Sequence, residues 1–176
     1  MAIAGPPCSG KSTLGESLAA RHGTPHLEMD AFRVRLMPFS AHTREDRAVA
    51  YRAMHYAAEL LAASGSGVIV NACYDHAEDR IDLERSSRRA GVPLYLIECT
   101  VSAEAAVTRS RARWNTHPGV DLTPDRVTEL VVNYPFSGRG ATINSQASRE
   151  AGLAIAEAYL TSGDPVLPGR WSSGLR

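Results

Sequence analysis

The fold of this chain is decided by one stretch near its start: Gly5, Pro6, Pro7, Cys8, Ser9, Gly10, Lys11, Ser12 and Thr13. From Gly5 to Ser12 the stretch matches the pattern G-x-x-x-x-G-K-[ST] in full. In this pattern the backbone N–H groups of the loop and the N-terminus of the next helix bind phosphate groups. The lysine reaches the outer phosphates, and the final hydroxyl ligates Mg²⁺. We therefore expect Gly5–Thr13 to bind ATP or a related triphosphate with Mg²⁺, and Lys11 to act in catalysis.

The segments around this loop support that interpretation. An apolar segment, Met1–Ala4, precedes it, and Lys11–His22 follows as a predicted helix with Leu14 and Leu18 on one face. Further along, strand-like and helix-like segments alternate, which is typical of a parallel α/β sheet. The other predicted strands are His26–Met29, Val68–Val70, Pro93–Val101 and Ala141–Asn144, and the other predicted helices begin near Thr43, Asp79, Ser102, Thr123 and Ser148. We predict a P-loop NTPase fold of the α/β class.

Two of the helix starts carry clear capping signals. Thr43 and Asp46 have the spacing of a capping box. Thr123 and Pro124 combine a capping hydroxyl with a proline at the first helical position. The helix after Thr43 also shows an apolar stripe that matches the ~3.6-residue period of an amphipathic helix. The members of this stripe are Val49, Ala53, Tyr56, Ala57 and Leu60.

Size and composition predict a single small domain. The chain has 176 residues, of which 44% are apolar, and we place the domain at 1–165 and an irregular tail at 166–176. The formal net charge is zero, so no global field attracts nucleic acid, and no apolar run approaches the ~20 residues of a membrane span. The three cysteines are odd in number and widely spaced, which argues against a disulfide framework. We expect a cytoplasmic monomer or homodimer with no membrane or nucleic-acid partner.

Residues outside the loop exclude two large classes of P-loop protein. A GTPase needs an N-K-x-D guanine-binding motif, and Lys11 is the only lysine in the chain. A motor or AAA-type ATPase carries Asp-Glu after an apolar strand, whereas Val70 is followed by Asn71. Because every other basic side chain is arginine, any single arginine is weak evidence for a phosphate contact.

A carboxylate follows the second predicted strand. Asp30 stands at its end, and Arg33 lies three residues further on. The carboxyl ends of strands in an open α/β sheet face the ligand crevice. A carboxylate there can accept a proton from an attacking hydroxyl, and it can also hold a water of the Mg²⁺ shell. The alternative is a helix N-cap; we favour catalysis because the P-loop favours a hydroxyl acceptor.

These motifs together resemble a known family. The loop Gly5–Ser12, the Asp30-x-x-Arg33 element, and Val70–Tyr74 with Arg80 are similar to the small P-loop kinases grouped as AAA_33-like. That group includes polynucleotide kinases, chloramphenicol phosphotransferase and zeta-toxin-like enzymes, and the resemblance covers about the first 115 residues. It implies five parallel strands in the order 2-3-1-4-5 and an arginine-bearing lid. It also implies roles for single residues: Asp30 as base, Arg33 and Arg80 on the acceptor or a phosphate, and Arg109 and Arg113 in the lid.

The spacing of the lid arginines gives a physical argument for their role. Arg109 and Arg113 are four residues apart and share a helix face, whereas Arg111 points elsewhere. A guanidinium there can stack on adenine or neutralise charge on the transferring phosphoryl group. The alternative is a solvated basic face, and which arginine acts is open.

Asn71 departs from the family pattern, because an aspartate often helps to hold Mg²⁺ at this place. Either Asp30 takes both roles, or Asn71 contacts a metal-bound water or the acceptor; Asp75 is a less favoured substitute. We assign Asn71 to the substrate side, and the metal to Ser12 and, through water, Asp30. Glu98, inside an apolar strand, is expected at a sheet edge or paired with an arginine, and His55 at the surface or in the core.

The acceptor itself is predicted only by class. The segment from Phe32 to Thr43 is either an acceptor pocket or a loop that packs apolar side chains into the core; its candidates are Phe32, Met37, Phe39 and His42. The leading hypothesis is ATP-dependent phosphorylation of a hydroxyl on a small molecule such as a nucleoside, sugar, cofactor precursor or antibiotic. One alternative is a polynucleotide 5′-hydroxyl kinase. Another is a regulatory or toxin-type nucleotide-binding protein without small-molecule turnover.

Overall fold

The chain folds around a five-stranded parallel sheet in the order β2-β3-β1-β4-β5. The computed structural model describes residues 1–41, 43–112, 122–166 and 168–172. The strands are β1 Ala2–Ala4, β2 His26–Glu28, β3 Ile69–Asn71, β4 Leu96–Thr100 and β5 Ala141–Asn144. The helices are α1 Lys11–His22, α2 Met29–Leu36, α3 Arg44–Ala63, α4 Ala77–Arg89, α5 Ala103–Ala112, α6 Pro124–Val132 and α7 Arg149–Ser162. The P-loop α/β fold and the predicted strand order are both confirmed.

The central strand β1 carries the P-loop at its carboxyl end. It pairs in parallel with β3 through Ala2 and Val70, and with β4 through Ile3 and Ile97. Since side chains alternate across a strand, Ala2 and Ala4 pack into one core cluster and Ile3 into another. The sheet is therefore covered on both faces, and its carboxyl edge is left to build a site.

Helix α3 begins where the sequence predicts but turns a different face to the core. The capping box is confirmed: Asp46 N donates to Thr43 Oγ1 (3.2 Å), and Thr43 N donates to Asp46 Oδ2 (3.4 Å). The predicted apolar stripe is not the buried face, since Val49, Tyr56 and Leu60 are exposed. The buried residues are Ala50, Tyr51, Met54, His55 and Ala58. Small and hydrogen-bonding side chains fill this face, so hydrophobicity alone selects the wrong one.

The chain after α7 contributes to the core although it forms no long element in the described range. Val166 and the fully buried Trp171 belong to the cluster that packs on α3 and α4. Trp171 N donates to Glu84 Oε1 (2.9 Å), and its ring lies 4.8 Å from the ring of Tyr74. These residues therefore share one core with the sheet.

No helix within the described residues is both long and apolar enough to cross a membrane.

Candidate active site

A cavity of about 510 Å³ lies at the carboxyl edge of the sheet. The P-loop forms one end of it, through Pro7 to Thr13. Residues of α2, α3 and α6 and the ends of β2 and β3 form the rest. The cavity is therefore open to the P-loop and to the Asp30–Arg33 element at once.

The two P-loop glycines are required by the backbone. Gly5 has φ +147°, and a Cβ there would stand 2.5 Å from the carbonyl oxygen of Cys99. Gly10 has φ +80°, and a Cβ there would stand 3.0 Å from Cβ of Ser145. Gly5 and Pro6 are buried beneath the loop, and Lys11 Nζ donates to the Pro6 carbonyl (2.7 Å). The buried residues Gly5 and Pro6 thus fix the shape of the loop, and Pro7–Thr13 face the cavity.

Three polar side chains meet beside the P-loop. Asn71 Nδ2 donates to Ser12 Oγ (3.1 Å) and to Glu28 Oε1 (2.7 Å). The sheet register places Glu28 directly beside Asn71, at the carboxyl ends of β2 and β3. A hydroxyl, an amide and a carboxylate are the oxygen-bearing groups that suit Mg²⁺. Glu28 was missed by the sequence analysis, although a carboxylate two residues before Asp30 was a usable signal.

Asp30 lies in the first turn of α2, because β2 ends at Glu28, earlier than predicted. The N-cap of α2 is Glu28, so the alternative role of Asp30 as an N-cap does not hold. Arg33 Nε lies 3.4 Å from Asp30 Oδ1, and both residues line the cavity. The side chain of Asp30 is about half exposed, whereas that of Arg33 is only 4% exposed. Asp30 is thus held near a buried guanidinium and open to a ligand.

Neutral side chains complete the cavity near β3. Burial raises the pKa of Cys73, and it raises the pKa values of Tyr51 and Tyr134 as well. Tyr134 donates its hydroxyl to the Cys73 carbonyl, and Tyr51 Oη accepts from Tyr74 N (3.0 Å). These groups are uncharged near neutral pH, so the charges of the cavity come from its carboxylates, its arginines and Lys11.

The model of the AAA_33 family, described as an AAA domain, matches residues 1–134. The chain belongs to the AAA_33 family. Within it, the chain is 32% identical over 105 residues to the adenylyl-sulfate kinase of Myxococcus xanthus, a match that spans 57% of each chain. The chain therefore spans little more than half the length of that relative.

Solved structures share the fold of this AAA_33 chain. The APS kinase of Mycobacterium tuberculosis, solved with AMPPNP and APS, has a TM-score of 0.70 at 20% identity, covering 92% of this chain and 97% of that one. A gluconokinase from Sinorhizobium meliloti has a TM-score of 0.67 at 20% identity, covering 91% and 90%. The chain is thus related in fold to small P-loop kinases.

Arg109 contacts the P-loop of this AAA_33 chain through protein atoms. It lies on α5, and its Nη1 donates to the Cys8 carbonyl (3.0 Å) and to Ser145 Oγ (2.7 Å). Its Nη2 donates to the Ser145 carbonyl (2.7 Å). Arg109 thereby joins the P-loop to the segment after β5. Arg113, the other lid candidate, lies outside the described residues.

Arg80, predicted to bind the acceptor or a phosphate, lies away from the cavity. It is fully buried on α4, where Nε donates to the Tyr74 carbonyl and Nη2 to the Pro135 carbonyl, each at 2.7 Å. Its guanidinium also lies 5.3 Å from the ring centroid of Trp171. Burial under Trp171 turns it inward, so Arg80 connects two segments that border the cavity instead of facing a ligand.

Two further expectations need correction. Phe32 and Met37 pack against the core and do not line the cavity, whereas Phe39 is 99% exposed. The core-packing alternative therefore holds for the first two, and His42 lies outside the described residues.

Glu98 lies on the inner strand β4, and no arginine of the described residues forms an ion pair with it. It is buried, and it accepts from Ser137 N and Gly138 N, each at 2.9 Å. His55 is buried as well, and it bonds Asp82 (2.7 Å) and the Tyr74 hydroxyl (3.1 Å). Both residues belong to the scaffold.

Proposed function

We propose that this protein is an ATP-dependent kinase that transfers the γ-phosphate to a hydroxyl group of a small molecule. The observation that carries the proposal is that the P-loop and the Asp30–Arg33 pair line one cavity. Its volume of about 510 Å³ suits a small ligand beside the phosphates. The kinase relatives support the reaction class.

The nucleotide end has the groups that phosphoryl transfer requires. Pro7–Thr13 and the N-terminus of α1 would hold the triphosphate, with Lys11 at its outer phosphates. Arg109 supports the loop from outside through the Cys8 carbonyl. Such catalysis rests mainly on positioning and on neutralising charge.

The residues beside the loop fit Mg²⁺. Ser12 would be the direct ligand, and Glu28, Asn71 and Asp30, which lie beside it or line the same cavity, would hold metal-bound waters. The described residues hold no cluster of three or more His, Cys, Asp or Glu side chains for a metal. Mg²⁺ keeps several waters and binds substrate phosphates, so few protein ligands are needed. When bound, Mg²⁺ would neutralise charge on the phosphates.

Asp30 is the proposed base. Its carboxylate accepts the proton of the acceptor hydroxyl as that oxygen bonds the γ-phosphorus. The bond from the γ-phosphorus to the bridging oxygen of ADP breaks, and ADP leaves with that electron pair. Arg33, beside Asp30, orients the carboxylate or the incoming phosphoryl group.

The test is transfer from γ-labelled ATP across a mixed metabolite library with Mg²⁺ present. We expect label in at least one small hydroxyl compound with the native chain, and loss of that label with Asp30→Asn. Glu150→Gln, an exposed carboxylate in the first turn of α7, is the matched control and should leave the label in place. Nucleotide binding with no labelled compound would favour the regulatory alternative. Equal labelling by Asp30→Asn would remove Asp30 from its role.

A further inference from the structure

Four arginines line the cavity beyond the P-loop. Arg33 comes from α2, Arg44 and Arg47 from α3, and Arg126 from α6; we call them the arginine cluster. In a chain where arginine replaces lysine nearly everywhere, one such residue would mean little. Four from three helices around one cavity are a different observation, because the chain as a whole carries 19 basic and 19 acidic residues. Guanidinium groups from separate elements therefore meet at this cavity.

The cavity lining itself contains more cationic side chains than carboxylates. With Lys11 the lining holds five cationic side chains, against three carboxylates, from Glu28, Asp30 and Asp75. Glu28 accepts a hydrogen bond from Asn71 Nδ2, which also donates to Ser12 Oγ of the P-loop.

Arg44 and Arg126 also have carboxylate partners outside the lining, at 3.0 Å (Asp79 on α4) and 2.6 Å (Glu129 on α6). The cluster is therefore a set of converging guanidinium groups, and its capacity to bind an anion depends on their hydrogen-bonding geometry.

One guanidinium nitrogen of Arg44 lies near a carboxylate, and the other has no hydrogen-bond acceptor among the described residues. Its Nη2 lies 3.0 Å from Asp79 Oδ2, a buried carboxylate on α4. Its Nη1 is buried and has no hydrogen-bond partner among the described residues. A buried guanidinium N–H without an acceptor is costly unless a ligand supplies one.

We propose that the phosphate acceptor of this kinase is itself an anion. It carries an oxyanion group, such as a carboxylate or a sulfate or phosphate ester, in addition to the hydroxyl that is phosphorylated. Arg33, Arg44 and Arg47 bind that group, and Arg126, whose side chain is about half exposed, lines the same cavity. The planar guanidinium matches such oxyanions with paired hydrogen bonds. This inference rests on the proposed kinase function, which supplies the hydroxyl and the γ-phosphate.

The competing assignment gives the same arginines to the triphosphate of ATP. The two assignments differ once the P-loop is filled. If the cluster serves the acceptor, it still binds an anion when the nucleotide site is occupied. If it serves ATP, its anion capacity is used up and its loss weakens nucleotide binding.

The first experiment therefore measures sulfate binding to protein saturated with Mg·AMPPNP, by calorimetry, against chloride at equal ionic strength. We expect sulfate to bind, and Arg44→Gln and Arg47→Gln each to weaken it about tenfold or more, as loss of a charge-assisted bond does. Arg52→Gln, on the exposed face of the same helix, is the matched control and should bind like the native chain. No sulfate binding, or equal binding by the cluster variants, would overturn the proposal.

The second experiment compares matched acceptors in the labelled-ATP assay: a sugar acid with its alditol, and a phosphate or sulfate ester with its parent alcohol. We expect kcat/KM at least about tenfold higher for the charged member of the preferred pair. Arg47→Gln should raise the acceptor KM and leave the ATP KM within about twofold. Equal use of the neutral member, or a raised ATP KM alone, overturns the anion proposal while the kinase stands. Transfer to no compound overturns the kinase, and the sulfate result then still decides whether the arginine cluster binds anions.

Discussion

The two ends of the cavity are built in different ways. The phosphate end is one continuous stretch, Pro7–Thr13, shaped by glycine geometry and by buried residues beneath it. The opposite end takes its arginines from three helices, at positions from Arg33 to Arg126. A site built from one contiguous backbone segment can be recognised from a short sequence motif. A site built from side chains that are far apart in sequence depends on how the helices pack.

The difference explains why one reaction can serve many acceptors. Backbone amides and one ammonium can hold any triphosphate, and they leave the choice of acceptor to side chains that vary independently. Asp30 links the two ends, because it lies 3.4 Å from Arg33 of the cluster and is the proposed base for the transfer. Changes at the two ends should therefore be separable in kinetics, and the following predictions test that separation.

The largest effect is expected where the two ends meet. Asp30→Asn should lower kcat by roughly 10²–10⁴-fold, because a positioned general base contributes about that much. Its KM for ATP should stay within about twofold, since the P-loop is unchanged. Steady-state kinetics with the acceptor found above measure both constants. Joint loss of kcat and of ATP binding would break the separation.

The next effect concerns the scaffold behind the acceptor end. Arg80→Met should lower the free energy of unfolding by about 3 kcal/mol, because two buried carbonyls lose a charged donor. Urea unfolding measures this, and Arg85→Met, an exposed arginine on the same helix, should change it by less than about 0.5 kcal/mol. If Arg80→Met kept native stability and lost only acceptor binding, Arg80 would contact the acceptor after all.

The smallest effect is expected at the metal side of the phosphate end. Glu28→Gln should weaken the apparent affinity for Mg²⁺ roughly tenfold, as loss of an outer-sphere carboxylate does. Saturating Mg²⁺ should restore most of the rate, which a change in folding would not show. Titration of Mg²⁺ at fixed ATP measures it, with Glu16→Gln, exposed on α1, as the control. An unchanged Mg²⁺ dependence would leave Ser12 and Asp30 as the metal side chains.

The contrast between the ends also describes what the sequence could predict. The P-loop, the capping box at Thr43 and the helix start at Thr123 follow from neighbours in sequence, and all three are found. The strand order came from the family resemblance, and the structure confirms it. The P-loop and the two helix starts depend on backbone geometry within a few residues, whereas the strand order does not.

Features that depend on packing were harder to predict. The buried face of α3 uses Tyr51 and His55, whose polar atoms are satisfied by Tyr74 and Asp82. Arg80 was expected at the acceptor, but Trp171, ninety-one residues later in the chain, covers it. The sequence near α3 does not show which face of that helix is buried, and the sequence near Arg80 does not show that Trp171 covers it.

The arginine cluster was invisible for a further reason. In this composition arginine is the default cation, so Arg44, Arg47 and Arg126 look like any exposed arginines until the helices place them together. The role of Glu28 depends on the sheet register, which sets it beside Asn71 of β3, a residue 43 positions later in the chain. Side chains that converge from separate elements need the fold before they can be recognised.

The most direct test of the account is the binding of AMPPNP by calorimetry, with and without Mg²⁺, to the native chain and to Lys11→Glu. We predict magnesium-dependent binding to the native chain and its loss in the charge-reversed variant, because Lys11 is the only ammonium side chain that lines the described cavity. Native protein that binds no nucleotide in Mg²⁺, or Lys11→Glu that binds as tightly as native, would contradict it.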